Sequence, residues 1–314
     1  MNPRDALFKA FNKPHARYKF RDLAKMAGGR DKANQAIAEL RKDGFQIVYG
    51  KNDHRFYLAK VPTPYSNYYD MTWLPLTGRL GLVSDTHLCS EAERLDILNE
   101  AYDEFARQGI SVVLHCGDIS DGWQIYPGHE QHAKCIGVQE QAAYVIKHYP
   151  EREGVNTYFI GGNHDLKSFE KQGVDVGSLI VHGFEFHGKR LHGRGDLFYL
   201  GQYSRILLLP EHITVDIIHP RGSGTVYARS YPAQVRSRNM ISDTRPDIQL
   251  SGHYHQFIWF LEDKTHFIGL PAFQDETEFF RRMGYGRQMG YCVADYTIKD
   301  GAVSSLKVEF FRKT

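Results

Sequence analysis

Five times between residues 79 and 255 the chain runs through a short apolar segment and stops on Asp, Asn or His. LGLVS leads into Asp85-Thr86-His87, SVVLHC into Gly117-Asp118-Ile119-Ser120-Asp121, and TYFIG into Gly162-Asn163-His164-Asp165. TVDII then leads into His219, and IQLS into Gly252-His253-Tyr254-His255. Runs this short, bounded by polar residues and separated by longer segments, read as buried strands feeding loops. Such strands specify an α/β domain with its ligands at the strand ends. The chain then turns β-rich through QFIWFL, HFIGLP, YCVADYTI and VSSLKVEFF, with Lys299-Asp300-Gly301 as a hairpin turn.

The polar residues behind these strands offer carboxylate oxygen, imidazole nitrogen and amide oxygen, without thiolate. That donor set suits manganese, iron, zinc or magnesium, with manganese preferred here. Two such ions, roughly 3.5–4 Å apart, can share one carboxylate and clamp the attacking and leaving oxygens of a phosphoryl transfer. A lone DxH or GDxxD carries little weight, because Asp and Gly are ordinary turn residues. All five motifs in order, each behind a strand, carry the inference.

In that order the motifs resemble the calcineurin-like metallophosphoesterase family over most of residues 79–275. The resemblance implies an α/β fold, a β-sandwich flanked by helices. It implies that Asp85, His87 and His255 hold one metal, that Asn163, His219 and His253 hold a second, and that Asp118 bridges the two. Seven ligands are one too many for two separate three-ligand sites, which agrees with a bridge. His164 would sit beside the phosphate as electrostatic stabiliser or leaving-group acid, with Asp165 orienting its ring. Asp121 would support the second motif's loop. One departure is Pro220, which follows His219 where the family often has Gly. Arg221, with Gly222, Ser223 and Gly224 behind it, is either a phosphate contact or part of a plain flexible loop.

Residues 1–60 carry 14 Lys/Arg against 6 Asp/Glu, a net +8, and the remainder carries 25 against 31, a net −6. A basic head on an acidic body suggests that the head meets a polyanion. Asn2-Pro3 can start a helix ending near Asn12. A second helix covers Arg21–Ala27 and stops at Gly28-Gly29. Asp31 can cap a third, Lys32–Lys42, with Ala33, Ile37 and Leu40 on one face and Asp43-Gly44 at its end. FQIVY and HRFYLA flank Gly50-Lys51-Asn52-Asp53, a hairpin signal. This order, closest at LRKDGFQIVYGKNDHRFYL, resembles the winged helix-turn-helix of biotin-repressor-type regulators. The resemblance implies that Lys32, Asn34, Gln35, Arg41 and Lys42 on the third helix, and Lys51 in the hairpin, contact DNA. A packing or dimerisation module is the alternative. Residues 61–78 contain three prolines and read as a linker between this domain (1–60) and the larger one (79–314).

No apolar run approaches the roughly 18 residues of a membrane span, and the N-terminal MNPRDALFKA lacks the apolar core of a secretory signal. The four cysteines, Cys89, Cys116, Cys135 and Cys292, show no CxxC spacing. They read as reduced thiols of a cytoplasmic protein, with Cys89 buried and free. His115 and Cys116 read as buried residues behind the second motif, and His129, His132, His182, His187 and His192 as surface or capping residues. Arg194-Gly195-Asp196 reads as a turn. Oligomeric state has no signature in the sequence. The leading functional reading is a phosphodiesterase or nuclease brought to DNA by the basic head. A phosphatase or diesterase for small nucleotides or phosphoproteins is the second, and a DNA-binding regulator whose metal domain senses a ligand is the third. The complete donor set weighs against the third.

Overall fold

A computed structural model of the chain describes residues 2–11, 17–42, 47–50, 54–58, 68–222, 230–240, 245–284 and 286–314. Its contacts divide it into one unit of Met1–Tyr68 with Asn239–Arg245, and a second of Tyr69–Arg238 with Pro246–Thr314. In the first unit Asn2 Oδ1 accepts the Asp5 amide at 3.0 Å and opens α1 (Pro3–Phe11). β1 (Arg17–Tyr18), α2 (Phe20–Ala27), α3 (Arg30–Lys42), β2 (Ile47–Gly50) and β3 (Arg55–Leu58) follow. Gly28 closes α2 at φ 77°, a left-handed position that glycine adopts without steric cost. Helix α3 starts at Arg30, so Asp31 lies in its first turn instead of capping it. Ala33, Ile37 and Leu40 pack with Leu7, Phe11 and Leu23 in a small core. The three strands form an antiparallel sheet in the order β1-β3-β2. The expected helix stop at Asp43-Gly44 and turn residues 51–53, Lys51 among them, lie outside the described residues.

The second unit begins before residue 79. Of the expected linker, residues 61–67 lie outside the described residues, but β4 (Tyr69–Asp70) already pairs with a later strand, and Met71 and Leu74 are buried. Two apolar anchors are enough to tie that stretch down. The remaining elements are β5 (Thr77–Val83), α4 (Leu95–Arg107), β6 (Val112–His115), α5 (Val138–His148), β7 (Asn156–Gly161), α6 (Asn163–Gln172), α7 (Val176–His182), β8 (Phe184–Phe186), β9 (Lys189–Leu191), β10 (Leu197–Gln202), β11 (Ser204–Leu208) and β12 (Thr214–Ile218). Then come α8 (Tyr231–Asn239), β13 (Ile248–Ser251), β14 (Ile258–Glu262), β15 (Thr265–Gly269), α9 (Glu278–Met283), β16 (Met289–Lys299) and β17 (Ala302–Lys313).

Two six-stranded sheets result, ordered β10-β7-β6-β5-β16-β17 and β14-β15-β13-β12-β11-β4. Strands β10, β7, β6 and β5 run parallel, and β16–β17 close that sheet antiparallel. The two-residue period of a strand sends successive side chains to opposite layers. Leu82, Val112, Leu114, Tyr158 and Ile160 face a core shared with Val215, Ile217, Ile248 and Leu250 of the other sheet. Their neighbours Val83, Val113 and Phe159 face Leu98, Tyr102 and Phe105 of α4 and Val145 of α5. Those strands are therefore apolar without alternation because both faces are covered. The β16–β17 turn falls where the sequence places it, with Asp300 at φ 55° and Gly301 at φ 71°, both positive as a two-residue hairpin turn requires.

The cysteine expectation is corrected in part. Cys116 and Cys292 are free and buried, but Cys89 and Cys135 form a disulfide with Cα atoms 5.9 Å apart. Their sequence separation of 46 gives no pairing signal; the fold of the intervening loops brings them together. Among the described residues no helix is long and apolar enough to cross a membrane.

Candidate metal centre

All five motifs meet at one edge of the second unit, on the loops behind β5, β6, β7, β12 and β13. The loops are stitched to one another through their backbones. The amides of Asp85 and His87 donate to the carbonyls of Gly117 and Asp118 at 3.0 Å, and that of Gly252 to Ile218 at 3.1 Å. Gly117 sits at φ 94°, and a Cβ there would run into the His219 ring, so glycine is required twice over. At Gly162 a Cβ would strike the Asp118 carboxylate.

The backbone around the candidate donors is strained. Asp85 (φ 51°), His87 (44°), Asp118 (55°), His253 (78°) and His255 (52°) all occupy the left-handed region without being glycine. Each such residue costs on the order of 1–3 kcal/mol and persists only where its surroundings over-determine it. Here the hydrogen bonds from Phe273 to the Asp85 carbonyl (3.0 Å) and from Gln288 to the His255 carbonyl (2.8 Å) help to do so.

Among the described residues, four groups of donors stand close enough to hold an ion; two carry the expected ligands, and the others, His87–Asp118–His164 and Asp121–His129–His164, bring in His164 and His129. Asp85, His87 and His255 make the first, with His255 Nε2 3.3 Å from Asp85 Oδ1 and 3.2 Å from His87 Nε2. Asp118, His219 and His253 make the second, with His219 Nε2 3.1 Å from Asp118 Oδ2 and 3.0 Å from Asn163 Oδ1. The same Asp118 Oδ2 lies 3.9 Å from His87 Nε2. The outer nitrogens of two rings are already engaged: His87 Nδ1 donates to Asp121 Oδ1 at 3.2 Å and His219 Nδ1 to the Cys116 carbonyl at 2.8 Å. Both Nε2 atoms are thus left as lone-pair donors turned toward carboxylate and amide oxygens. His253 Nε2 donates to the Gly222 carbonyl at 2.6 Å, which leaves its Nδ1. Acceptors facing acceptors in a buried site fit a divalent cation, and a proton is the only substitute. Accordingly, although burial opposes a charge on His219, the Asp118 carboxylate beside it pushes its pKa up to about 9. Burial likewise opposes ionisation of Asp85, yet His255 holds its carboxyl well below the usual range.

His164 lies against this cluster, its ring edge-to-face with His87 at 4.5 Å. Nδ1 donates to the Asp121 carbonyl at 2.5 Å, and burial lowers the pKa to about 4. The ring is therefore neutral with Nε2 as an acceptor. The expectation that Asp165 orients this ring is corrected. Asp165 Oδ2 accepts from the amides of Gly162 (2.9 Å) and Ile119 (3.1 Å), and Oδ1 from the Ser120 amide and hydroxyl (both 2.8 Å). Near the start of α6, it staples that helix to the loop carrying Asp118. Burial and the nearby Asp118 charge push its pKa up to about 6 against those four donors. The ring of His164 is oriented by Asp121, which also holds His87.

His129, expected on the surface, is buried, with Nε2 3.1 Å from Asp121 Oδ2. Gln274 donates to Asp121 Oδ1 at 3.2 Å. Neither residue stands at a recognisable spacing from a motif. Arg221 turns away from the centre: its guanidinium bonds Glu170 (2.8 Å) and the Tyr203 hydroxyl (2.6 Å). Ser223 and Gly224 lie outside the described residues. Arg190 donates to the His182 carbonyl, and Arg194 is buried against Asp196. In the first unit Lys32, Asn34, Gln35 and Lys42 are exposed on α3. Arg41 is not presented with them, because its guanidinium folds back to the Ile47 carbonyl at 2.8 and 3.0 Å.

The profile of one protein family, calcineurin-like phosphoesterase, matches residues 78–257. The DNA polymerase II small subunit of Archaeoglobus fulgidus is 22% identical, over 74% of this chain and 56% of its own. Its namesake in Methanocaldococcus jannaschii is also 22% identical, over 60% of this chain and 35% of its own. This chain thus spans about half the length, or less, of these curated relatives. A solved structure, a phosphoesterase from E. coli, aligns with a TM-score of 0.36 and 13% identity over 73% of this chain and 98% of that one.

Proposed function

The chain belongs to the calcineurin-like phosphoesterase family, and from that premise we propose that it is a two-metal phosphodiesterase that hydrolyses DNA. The observation that carries the two-metal reading is Asp118 Oδ2, which faces His219 Nε2 at 3.1 Å and His87 Nε2 at 3.9 Å. In this reading Asp85, His87 and His255 would hold one ion, Asn163, His219 and His253 the other, and Asp118 would serve both. When bound, the ions, with manganese the best match to this oxygen and nitrogen set, supply positive charge at the phosphoryl oxygens. Asp121 and the Cys116 carbonyl keep the ligand rings in the tautomer that binds. Asp165 holds the Asp118 loop against α6, and His164, once protonated at Nε2, can donate to a substrate oxygen.

The preference for a diester follows from charge. The cavity over the centre is lined by no Lys or Arg among the described residues. A monoester carries an extra negative charge that cationic side chains would have to stabilise. With Mn²⁺, kcat/KM for an aryl diester should exceed that for the matched monoester by at least about tenfold. That is the ratio produced by lacking one charge-assisted hydrogen bond of roughly 1.5–3 kcal/mol. A monoester preference would overturn the nuclease reading.

DNA as the polymer is supported by two things. Two relatives bear the name DNA polymerase II small subunit, and residues 1–60 carry a net +8. The order α1-β1-α2-α3-β2-β3 supports reading this segment as a winged helix-turn-helix, in which α3 would meet the major groove through Lys32, Asn34, Gln35 and Lys42. In the full chain, Lys32→Glu with Lys42→Glu should weaken DNA binding and reduce its salt slope by about 2. Small-diester turnover should fall far less. Unchanged affinity and slope would remove α3 from the DNA contact.

A further inference from the structure

We infer that Tyr126, Phe279 and Phe280 form a nucleobase-stacking wall beside the metal centre, so that the reacting phosphate arrives as part of a nucleotide; this rests on the phosphodiesterase reading. The cavity over the centre has a volume of about 290 Å³. One side is the donor cluster. The other comes from the loop after Asp121, which also carries His129, and from helix α9. The Tyr126 and Phe279 rings stack with centroids 4.8 Å apart and planes 18° apart. Phe280 lies parallel to the His255 ring, at 4.8 Å and 21°, and meets Phe279 edge-on at 6.1 Å. The aromatic surface is therefore continuous with a proposed metal ligand.

The wall is held in place. Thr277 Oγ1 accepts the Phe280 amide at 3.3 Å and caps α9, and Asp275 just before it pairs with Arg287. His129 packs on Tyr126 at 4.8 Å and anchors that loop to Asp121. Yet all three rings remain half-buried. Flat aromatic surface beside a polar centre suits an occupant with a charged end and a planar ring. An acyl or alkyl group would be met by aliphatic side chains, and Ile125 is the one such residue lining the cavity among those described. Burial pushes the Tyr126 hydroxyl up to about 12, so that ring stays neutral. Every base has a π-face, so stacking favours nucleotides without choosing among sequences.

The test compares two diesters with the same leaving group, the p-nitrophenyl ester of thymidine 5′-phosphate and methyl p-nitrophenyl phosphate, with Mn²⁺. The full-length chain should prefer the nucleoside ester. Phe279→Ala and Tyr126→Ala should each lower that preference ratio about 5- to 150-fold, the range for losing one stacked base, and Phe279→Trp should restore it. An unchanged ratio in both alanine variants, or no preference in the parent chain, overturns the wall. If the parent chain hydrolyses neither diester, the phosphodiesterase reading fails instead. The wall is then decided by thymidine monophosphate binding: weaker binding by Phe279→Ala upholds it, and equal binding overturns it.

Discussion

Asp118→Asn is expected to reduce Mn²⁺-dependent diester hydrolysis to the uncatalysed background and to lower bound metal from two ions per chain to one or none. The substitution keeps the shape of the side chain and can keep the 2.8 Å bond that Oδ1 accepts from the His164 amide. It removes the charge that faces both His219 and His87. Without a cation, burial opposes the charge on Asp118, but the His219 imidazolium beside it brings its pKa well below the usual carboxylate range. A neutral amide offers an ion no compensating charge at the one position common to both donor groups. The fold should survive, because Asp118 belongs to a strand-end loop and to neither apolar core of the second unit. Metal analysis beside circular dichroism checks this; two tightly bound ions in a folded variant would rule out the bridge.

The second large effect concerns His164. His164→Ala should lower turnover roughly 10²- to 10⁴-fold, the range for a positioned acid or base, with metal content near that of the parent chain. His164 stands close enough to His87 and Asp118 to join them round an ion, so metal content is the readout that tells the two roles apart. The His164 Nδ1 is committed to the Asp121 carbonyl, and its pKa is lowered to about 4 by burial. The ring therefore enters the reaction neutral, and Nε2 can donate to a phosphate or leaving-group oxygen only after binding a proton from water. A diester anion brings no proton at neutral pH, so a leaving-group acid at this position would have to take its proton from water, and loss of the ring should act mainly on kcat. Loss of metal in this variant would instead place His164 among the ligands.

Both predictions concern residues legible from the sequence alone, because their signal is local. An apolar run followed by Gly-Asp or Gly-Asn-His-Asp reports a buried strand and the donors at its end. The parallel run of those strands then brings their ends to one edge. Helix α3 and the β16–β17 turn were legible for the same reason: apolar spacing and Asp300-Gly301 act within a few residues. Strands β10 and β11 were not, since LFYLGQ and SRILL follow no clean alternation and are ordered by their sheet neighbours β7 and β12.

What the sequence determined by itself is the chemistry on offer: which donors the chain carries, behind which strands, and with a basic segment ahead of them. Tertiary structure decided who meets whom. It gave Asp165 to the loop amides of Ile119 and Ser120, and His164 to the Asp121 carbonyl. It buried His129, joined Cys89 to Cys135, drew Arg221 onto Glu170, and set Phe279 against Tyr126. These pairings join residues 8 to 153 positions apart, where separate loops and helices approach within bonding or stacking distance. That approach is fixed by how the two sheets and their helices pack, and no spacing along the chain encodes it.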